Sequence, residues 1–315
     1  MAFYLGLDAG GTNLAAGVVD QDGVLYSRET ISSEAGRPIE EIVERMVCVS
    51  HEAVKRSGVP MTEIRSWGIG MPSCINAKTQ RLVHANCFGW KDVPIYNYLL
   101  GKLPLTTIIN NDANCAVLGE LYAGAAKGYQ NVILLTLGTG LGSGIIINGE
   151  LFTGADGMGA EFGHTKVVPG GRQCTCGQHG CADVYCSATG IILEARELLP
   201  HFPNSLLASK DIFNAKDIFV GAKVLDSCCM QAVDHYITYL ALVLSNIIPV
   251  FRPEIILLGG GVAGAGESLL APLREKTLQI TYGADVIGIP EIQCASLGND
   301  AGIIGAAFLG RRDQL

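Results

Sequence analysis

His164, Cys174, Cys176 and Cys181 offer one imidazole and three thiols at spacings that suit a metal ion. The three cysteines fall within eight residues, among Gly177 and Gly180, where the missing side chains let the chain turn tightly. A Cys₃His set suits tetrahedral Zn²⁺ with every position filled by protein, which makes a structural site rather than a catalytic one. His179 and Cys186 are spare ligand candidates, and a loop of free thiols is the plainer alternative. Glu161 and Asp183 flank the ligands. A clip that fixes this loop therefore also fixes two carboxylate acceptors suited to sugar hydroxyls or other polyols.

A second carboxylate chemistry is suggested by Asn111-Asp112-Ala113-Asn114, which follows a strand expected over 106–110 and leads into an Ala-rich helix expected over 115–126. Asp112 there is open to two readings. It is the helix N-cap, as Asp or Asn at a helix start usually is, or it is an ionised carboxylate held for chemistry at the positive end of the helix dipole.

Phosphate chemistry is suggested by two glycine loops. Strands expected over 3–7 and 14–19 enclose Asp8-Ala9-Gly10-Gly11-Thr12-Asn13. A P-loop or a dinucleotide fingerprint leads into a helix, so neither fits. Backbone N–H groups of such a hairpin can still point at phosphate oxygens, and Asp8 at the strand end is placed to hold Mg²⁺ through water. Taken alone, an ordinary hairpin explains the loop equally well.

Residues 132–150 repeat the pattern, with a strand over 132–137, the loop Gly138-Thr139-Gly140-Leu141-Gly142-Ser143-Gly144, a strand over 145–147 and the turn Asn148-Gly149. A shift of 128 puts Gly10 on Gly138 and Val18-Val19-Asp20 on Ile146-Ile147-Asn148, an internal duplication. One such hairpin per domain, facing each other across a cleft, strengthens the phosphate reading. A strand over 255–258 opening into Gly259-Gly260-Gly261 is a third place where backbone can approach a nucleotide.

These groups need elements to position them, and the chain supplies an α/β set. With 315 residues it passes the size at which one core splits, so two domains are expected. A hydrophobic fraction of 49% with 40 glycines fits strands, helices and tight turns. A helix is expected over 38–57 with Gly58 as its cap, a buried strand over 67–71, helices over 188–199 and 303–309, and a long helix around 233–248 ended by Pro249 and Pro253. Asn86, Gly89 and Trp90 lie in a loop that is either a wall of a ligand cleft or a structural turn.

The formal charge of −8 argues against a sequence-independent hold on nucleic acid. The longest apolar stretch, 239–251, is interrupted by Ser245, Asn246 and Pro249 and is shorter than a membrane span, and no signal peptide is expected ahead of Phe3. A cytoplasmic protein is expected. Its cysteines outside the clip read as small core residues in a reducing compartment.

Asp8-Ala9-Gly10-Gly11-Thr12, Asn111-Asp112-Ala113-Asn114, Leu137-Gly138-Thr139-Gly140, Glu161-Phe162-Gly163-His164, the cysteine element 174–181 and Leu258-Gly259-Gly260-Gly261 occur in an order that resembles the ROK family of sugar kinases and repressors. The resemblance spans almost the whole chain. It implies the actin-like ATPase (ribonuclease H-like) fold, two duplicated α/β domains hinged around a cleft, with the last helix returning to the first domain. The expected domains are 1–112 with 301–315, and 113–300.

The resemblance also implies roles. Asp112 would be the base for a sugar hydroxyl, and Asn86, Asn111, Glu161, His164 and Asp183 would hold the sugar, with His164 binding zinc as well. Gly10, Gly11, Thr12, Asn13, Gly138, Thr139 and Gly140 would hold ATP phosphates, and Gly260 and Gly261 would lie near the nucleoside. The chain departs from the family at Asn13, where a lysine is common, at Ser73, where a glycine is usual, and at Asp183, where glutamate is usual.

The expected activity is ATP-dependent phosphorylation of a hexose, glucose at its 6-hydroxyl first, with Mg²⁺ and structural Zn²⁺ as cofactors and a homodimer as the assembly. Allose, fructose or N-acetylmannosamine is the alternative substrate. A sugar-sensing repressor would need a DNA-binding segment ahead of Asp8.

Overall fold

The first glycine hairpin forms as β1 (Phe3–Ala9) and β2 (Asn13–Asp20), antiparallel with Phe3 opposite Asp20 and Ala9 opposite Leu14. The computed structural model describes residues 1–311. β2 continues antiparallel to β3 (Glu29–Ser32), after which α1 (Ile39–Ser57) ends in Gly58, whose φ of 71° is the left-handed cap expected of it. β4 (Ile64–Met71) then lies parallel to β1, with Asp8 beside Gly70.

A small antiparallel sheet follows, β5 (Ile75–Asn76), β6 (Arg81–Ala85) and β7 (Trp90–Val93), then the short α2 (Ile95–Leu99). β8 (Thr106–Asn111) is parallel to β4, with Gly70 beside Asn110 and Met71 beside Asn111, and runs directly into α3 (Asp112–Ala123). The sheet order is β3-β2-β1-β4-β8. Its carboxyl ends thus set Asp8, Gly70 and Asn110 in one row, the end of a parallel sheet where ligands are usually taken.

The second hairpin is β9 (Val132–Leu137) and β10 (Leu141–Ile147), with β11 (Glu150–Leu151) beyond the turn. Shifted by 128 positions, β1 and β2 fall on β9 and β10 to within one residue at each end. Then come α4 (Asp183–Cys186), α5 (Ala188–Leu198), α6 (Ala215–Lys223), α7 (Ser227–Phe251), β12 (Ile255–Gly259), α8 (Glu267–Ile280), α9 (Ala284–Ile287), β13 (Glu291–Cys294) and α10 (Ala301–Phe308). The second sheet has the order β11-β10-β9-β12-β13, the same plan as the first, with β12 and β13 parallel.

Contacts among residues divide the chain into two compact units, Met1–Val132 with Gly144–Ala160 and the stretch from Ser296, and Ile133–Ser143 with Glu161–Ala295. The expected boundaries follow the sequence duplication, whereas contact density keeps α3 with the first unit because α10 packs along it.

In the first unit β1, β2 and β4 are buried on both faces, which is why they read as apolar runs. One face packs Leu5, Leu7 and Ile69 with Ile42, Met46 and Val49 of α1; the other packs Tyr4 and Val19 with Ile304 and Phe308 of α10. α10 lies close because Gly6 and Gly68 face it. A Cβ at Gly68 would stand 1.7 Å from the Ala306 carbonyl oxygen.

Two helices differ from expectation. α3 starts three residues early, because Asn111 takes the capping position. α7 runs through Pro249 to Phe251; the proline forfeits one N–H, but the left-handed Arg252 donates its own N–H to Ile248 O at 2.9 Å and closes the last turn. By length and composition α7 could cross a membrane. It packs instead on α5, α6 and α8, with Ile237, Leu240, Leu244 and Ile248 buried.

Candidate functional site

The first unit gathers its candidate residues at the carboxyl ends of β1, β4 and β8. Asn111 is the N-cap of α3, its Oδ1 accepting from Ala113 N–H at 2.9 Å and Asn114 N–H at 3.1 Å. Asp112 is the first helical residue, with Oδ1 accepting from Ala113 N–H at 2.8 Å. The capping alternative for Asp112 is therefore filled by its neighbour. Asn110 Oδ1 accepts from Asn114 Nδ2 at 3.0 Å, an amide pair that ties the end of β8 to the first turn of α3.

Asp8 and Asp112 both lie near Cys115, whose thiol is pushed well above its ordinary range by burial first and by these two charges next. Burial also raises the Asp8 carboxyl to about 6, against the opposing pull of Arg28. The turn Asn86–Phe88, between β6 and β7, brings Cys87 against the first glycine loop: a Cβ at Gly11 would lie 2.6 Å from the Cys87 Cβ. Burial, and then the Asp112 charge, raises the Cys87 thiol as well. Asp8, Gly11, the Asn86 turn and Asp112 are thus neighbours in one unit. Trp90 is not part of this group; it is buried and stacked on Phe88 at 4.7 Å, so its structural reading holds.

Both glycine loops are held by their carbonyls. In the first, Ser33 donates its hydroxyl to Gly11 O at 2.6 Å and its N–H to Thr12 O at 2.9 Å. In the second, Ala188 N–H reaches Gly138 O at 2.8 Å and the Thr189 hydroxyl reaches Thr139 O at 2.8 Å. Among the described residues, the N–H groups of Thr139 and Gly140 have no acceptor. Gly138 N–H is spent on Gly140 O at 3.0 Å, so the second loop, tied down by its carbonyls, offers the N–H groups of Thr139 and Gly140 to anionic oxygens. Gly260, with a φ of 81°, is pressed against the base of the second loop, where a Cβ would lie 2.6 Å from Leu137 O; Gly261 has open space beside it.

The four candidate metal ligands converge as their spacing predicts. The ligand atoms of His164, Cys174, Cys176 and Cys181 all lie within 4.8 Å of one another. His164 Nδ1 is 3.8 Å from Cys174 Sγ, and Cys176 Sγ is 3.7 Å from Cys181 Sγ. Tetrahedral zinc with bonds of about 2.0–2.3 Å needs ligand separations of about 3.5–3.8 Å, which these two pairs meet, and the four atoms lie close enough together to share one ion. Gly180 has to be glycine, because a Cβ there would meet Val168 O at 1.7 Å. His179 is exposed and bridged to Gln173, and Cys186 is buried as the last residue of α4, so neither joins the set. Lys166, unremarked in the sequence, donates Nζ to Cys181 Sγ at 2.8 Å.

Glu161 and His164 bracket a turn seated on β10, with Phe162 N–H donated to Ser143 Oγ at 3.0 Å and Gly163 so close that a Cβ would lie 2.2 Å from Leu141 O. Arg172 anchors the rest of the clip to α5, pairing with Glu194 at 2.6 Å and lying over the Tyr185 ring. Asp183 does not project freely: its Oδ1 accepts the Leu141 N–H at 2.6 Å, immediately after the second glycine loop.

The sequence profile of the ROK family matches residues 4–313. The chain belongs to the ROK family. Among ROK proteins it is 34% identical to the glucokinase of Halalkalibacterium halodurans, over 99% of this chain and 96% of that one. It is 34% identical to the glucokinase of Thermotoga maritima, over 97% and 96%. A ROK family glucokinase from Streptomyces griseus, solved in complex with glucose and AMPPNP, superposes with a TM-score of 0.85 at 31% identity, over 99% of this chain and 100% of that one. The fold is the actin-like ATPase fold of ROK sugar kinases, with two α/β domains.

Proposed function

We propose that this ATP-dependent sugar kinase transfers the γ-phosphoryl group of ATP to the 6-hydroxyl of glucose, with Asp112 as the base. The observation that carries the reading is the division of labour between Asn111 and Asp112. Asn111 caps α3, while Asp112, the first residue of the helix, stands at its positive end with Oδ1 accepting the Ala113 N–H. A carboxylate in that place is favoured by the helix dipole and can accept a hydroxyl proton. As it does so, the sugar oxygen bonds to the γ-phosphorus, the bond from that phosphorus to the bridging oxygen breaks, and ADP leaves.

The remaining roles follow the chemistry of each group. The N–H edges of Gly10–Asn13 and Gly138–Gly140 receive phosphate oxygens, and Gly260 and Gly261 let backbone approach the nucleoside. Mg²⁺, when bound, neutralises phosphate charge, and Asp8 is the residue to hold it through water. Asn86, Asn111, Glu161, His164 and Asp183 bind the sugar. Asn111 does so through Nδ2, since its Oδ1 serves the cap. His164 turns Nδ1 toward the thiols, which leaves Nε2 for a hydroxyl. Zinc in the Cys₃His set is structural: it fixes the turn that carries Glu161 and His164.

Glucose is supported by the glucokinases at 34% identity and by the glucose complex of the Streptomyces griseus enzyme. The test is ADP release followed across a panel of glucose, allose, fructose, mannose and N-acetylmannosamine. The expected result is the highest kcat/KM with glucose. A tenfold preference for another hexose overturns the choice of sugar, and no turnover with any of them overturns the kinase reading.

A further inference from the structure

Asp183 touches two parts of the second unit that do different work. Its Oδ1 accepts the Leu141 N–H at 2.6 Å, and its Oδ2 lies 4.0 Å from Cys174 Sγ in the metal set. The seat on the loop is close, because a Cβ at Gly140 would stand 2.8 Å from the same Oδ1. Leu141 is buried, so its N–H has no water to turn to if the carboxylate leaves. The other holds on the loop come from Ala188 and Thr189, five and six residues further along. Every one of these ties on Gly138–Leu141 therefore comes from the segment that directly follows Cys181. A glutamate, one methylene longer, would overshoot this amide. The aspartate is the acid whose length suits it.

We propose that Asp183 is a positioning residue of the nucleotide loop. It ties the N–H edge of Gly138–Leu141 to the metal clip, so that the state of the clip is felt as nucleotide affinity. The inference rests on the reading of Gly138–Gly140 as a phosphate loop. A loop fixed before the ligand arrives loses less freedom on binding, whereas one released from its tie must be ordered at the expense of affinity. A change at Asp183 should then reach the nucleotide as well as the sugar.

The experiment is calorimetric titration of ADP, without sugar, into wild type, Asp183→Ala, Asp183→Asn and Thr139→Pro, each with its zinc content measured. Asp183→Ala should weaken ADP about tenfold, the loss of one hydrogen bond to a charged acceptor. Asp183→Asn keeps an acceptor of the same length and should stay within about threefold. Stripping the metal with a chelator should weaken ADP binding in wild type and add little in Asp183→Ala, because the tie is already gone. Thr139→Pro removes a bare loop N–H and tests the underlying reading. If it leaves ADP affinity unchanged, the phosphate loop lies elsewhere and the inference falls with it. If it weakens ADP while Asp183→Ala does not, the loop reading stands and Asp183 does not position it. Equal losses on metal removal in wild type and Asp183→Ala would likewise overturn the link.

Discussion

Asn111 caps α3 through its Oδ1, and Asp112, one residue on, is the first residue inside the helix. Asp112→Asn should therefore leave the fold intact, since the cap is untouched. Its turnover should fall by roughly 10² to 10⁴, the usual loss for a positioned general base. Asn111→Ala should do the reverse in part, with about 1 kcal/mol of stability lost with the cap. Steady-state kinetics and thermal melts on both variants separate the two effects. A near-wild-type kcat in Asp112→Asn would remove Asp112 from the chemistry.

Asp8 gives a pH dependence with a definite sign. Its carboxyl is raised from 3.8 to about 6, chiefly by burial, so the fold favours the protonated form. For this group, stability grows as pH falls from above about 6 toward 4, opposite to a carboxylate in a salt bridge. Holding Mg²⁺ through water needs the ionised form, so the Mg²⁺ concentration for half-maximal activity should rise steeply below about pH 6. Mg²⁺ titrations of activity between about pH 5 and 8 test this. A flat half-saturation across that window would show that Asp8 does not hold the ion.

Much of this site is legible in the sequence because short-range rules fix it. The candidate metal ligands converge because glycines at 177 and 180 close the turns between them, and the two hairpins form because each glycine loop joins two apolar runs. What tertiary structure decides is harder to read. Three capping residues stand in a row at 110–112, and sequence alone does not choose Asn111. Ser33 reaches the first loop from 22 residues away and Thr189 the second from 50, and hydroxyls are too common to signal such a tie. Asp183 meets Leu141 across 42 residues. The strands β5, β6 and β7 are too short to show a period, yet the turn Asn86–Phe88 between β6 and β7 sets Cys87 beside the first glycine loop.

Glu120 supplies a structural control away from the chemistry. It is fully buried on α3, and its carboxylate accepts from the N–H groups of Ala125, Ser296 and Leu297 and from the Ser296 hydroxyl, at 2.7–3.1 Å. Glu120→Gln turns an NH₂ toward donors that need acceptors, which should remove about 3 kcal/mol and lower Tm by about 6–12 °C. The KM for the sugar should hardly change at a temperature where the variant is folded. A Tm within 2 °C of wild type would mean that these bonds are replaceable by water.

The metal clip yields the last prediction. Three thiolates and one neutral imidazole around Zn²⁺ carry one net negative charge, and Lys166 Nζ at 2.8 Å from Cys181 Sγ is placed to balance it. The hydrogen bond to Cys181 holds the Lys166 ammonium above its ordinary range, so the lysine is charged at neutral pH. Metal analysis of the purified protein should find about one zinc per chain. Cys176→Ser should lose most of that zinc and loosen sugar binding, because the turn bearing Glu161 and His164 is no longer fixed. Lys166→Met should keep its zinc at rest but release it to a chelator about tenfold faster, with Lys166→Arg restoring the slow rate. Identical release rates for wild type and Lys166→Met would show that the lysine only lies over the sulfur. A zinc-free protein with full activity would remove the clip from any role in the reaction.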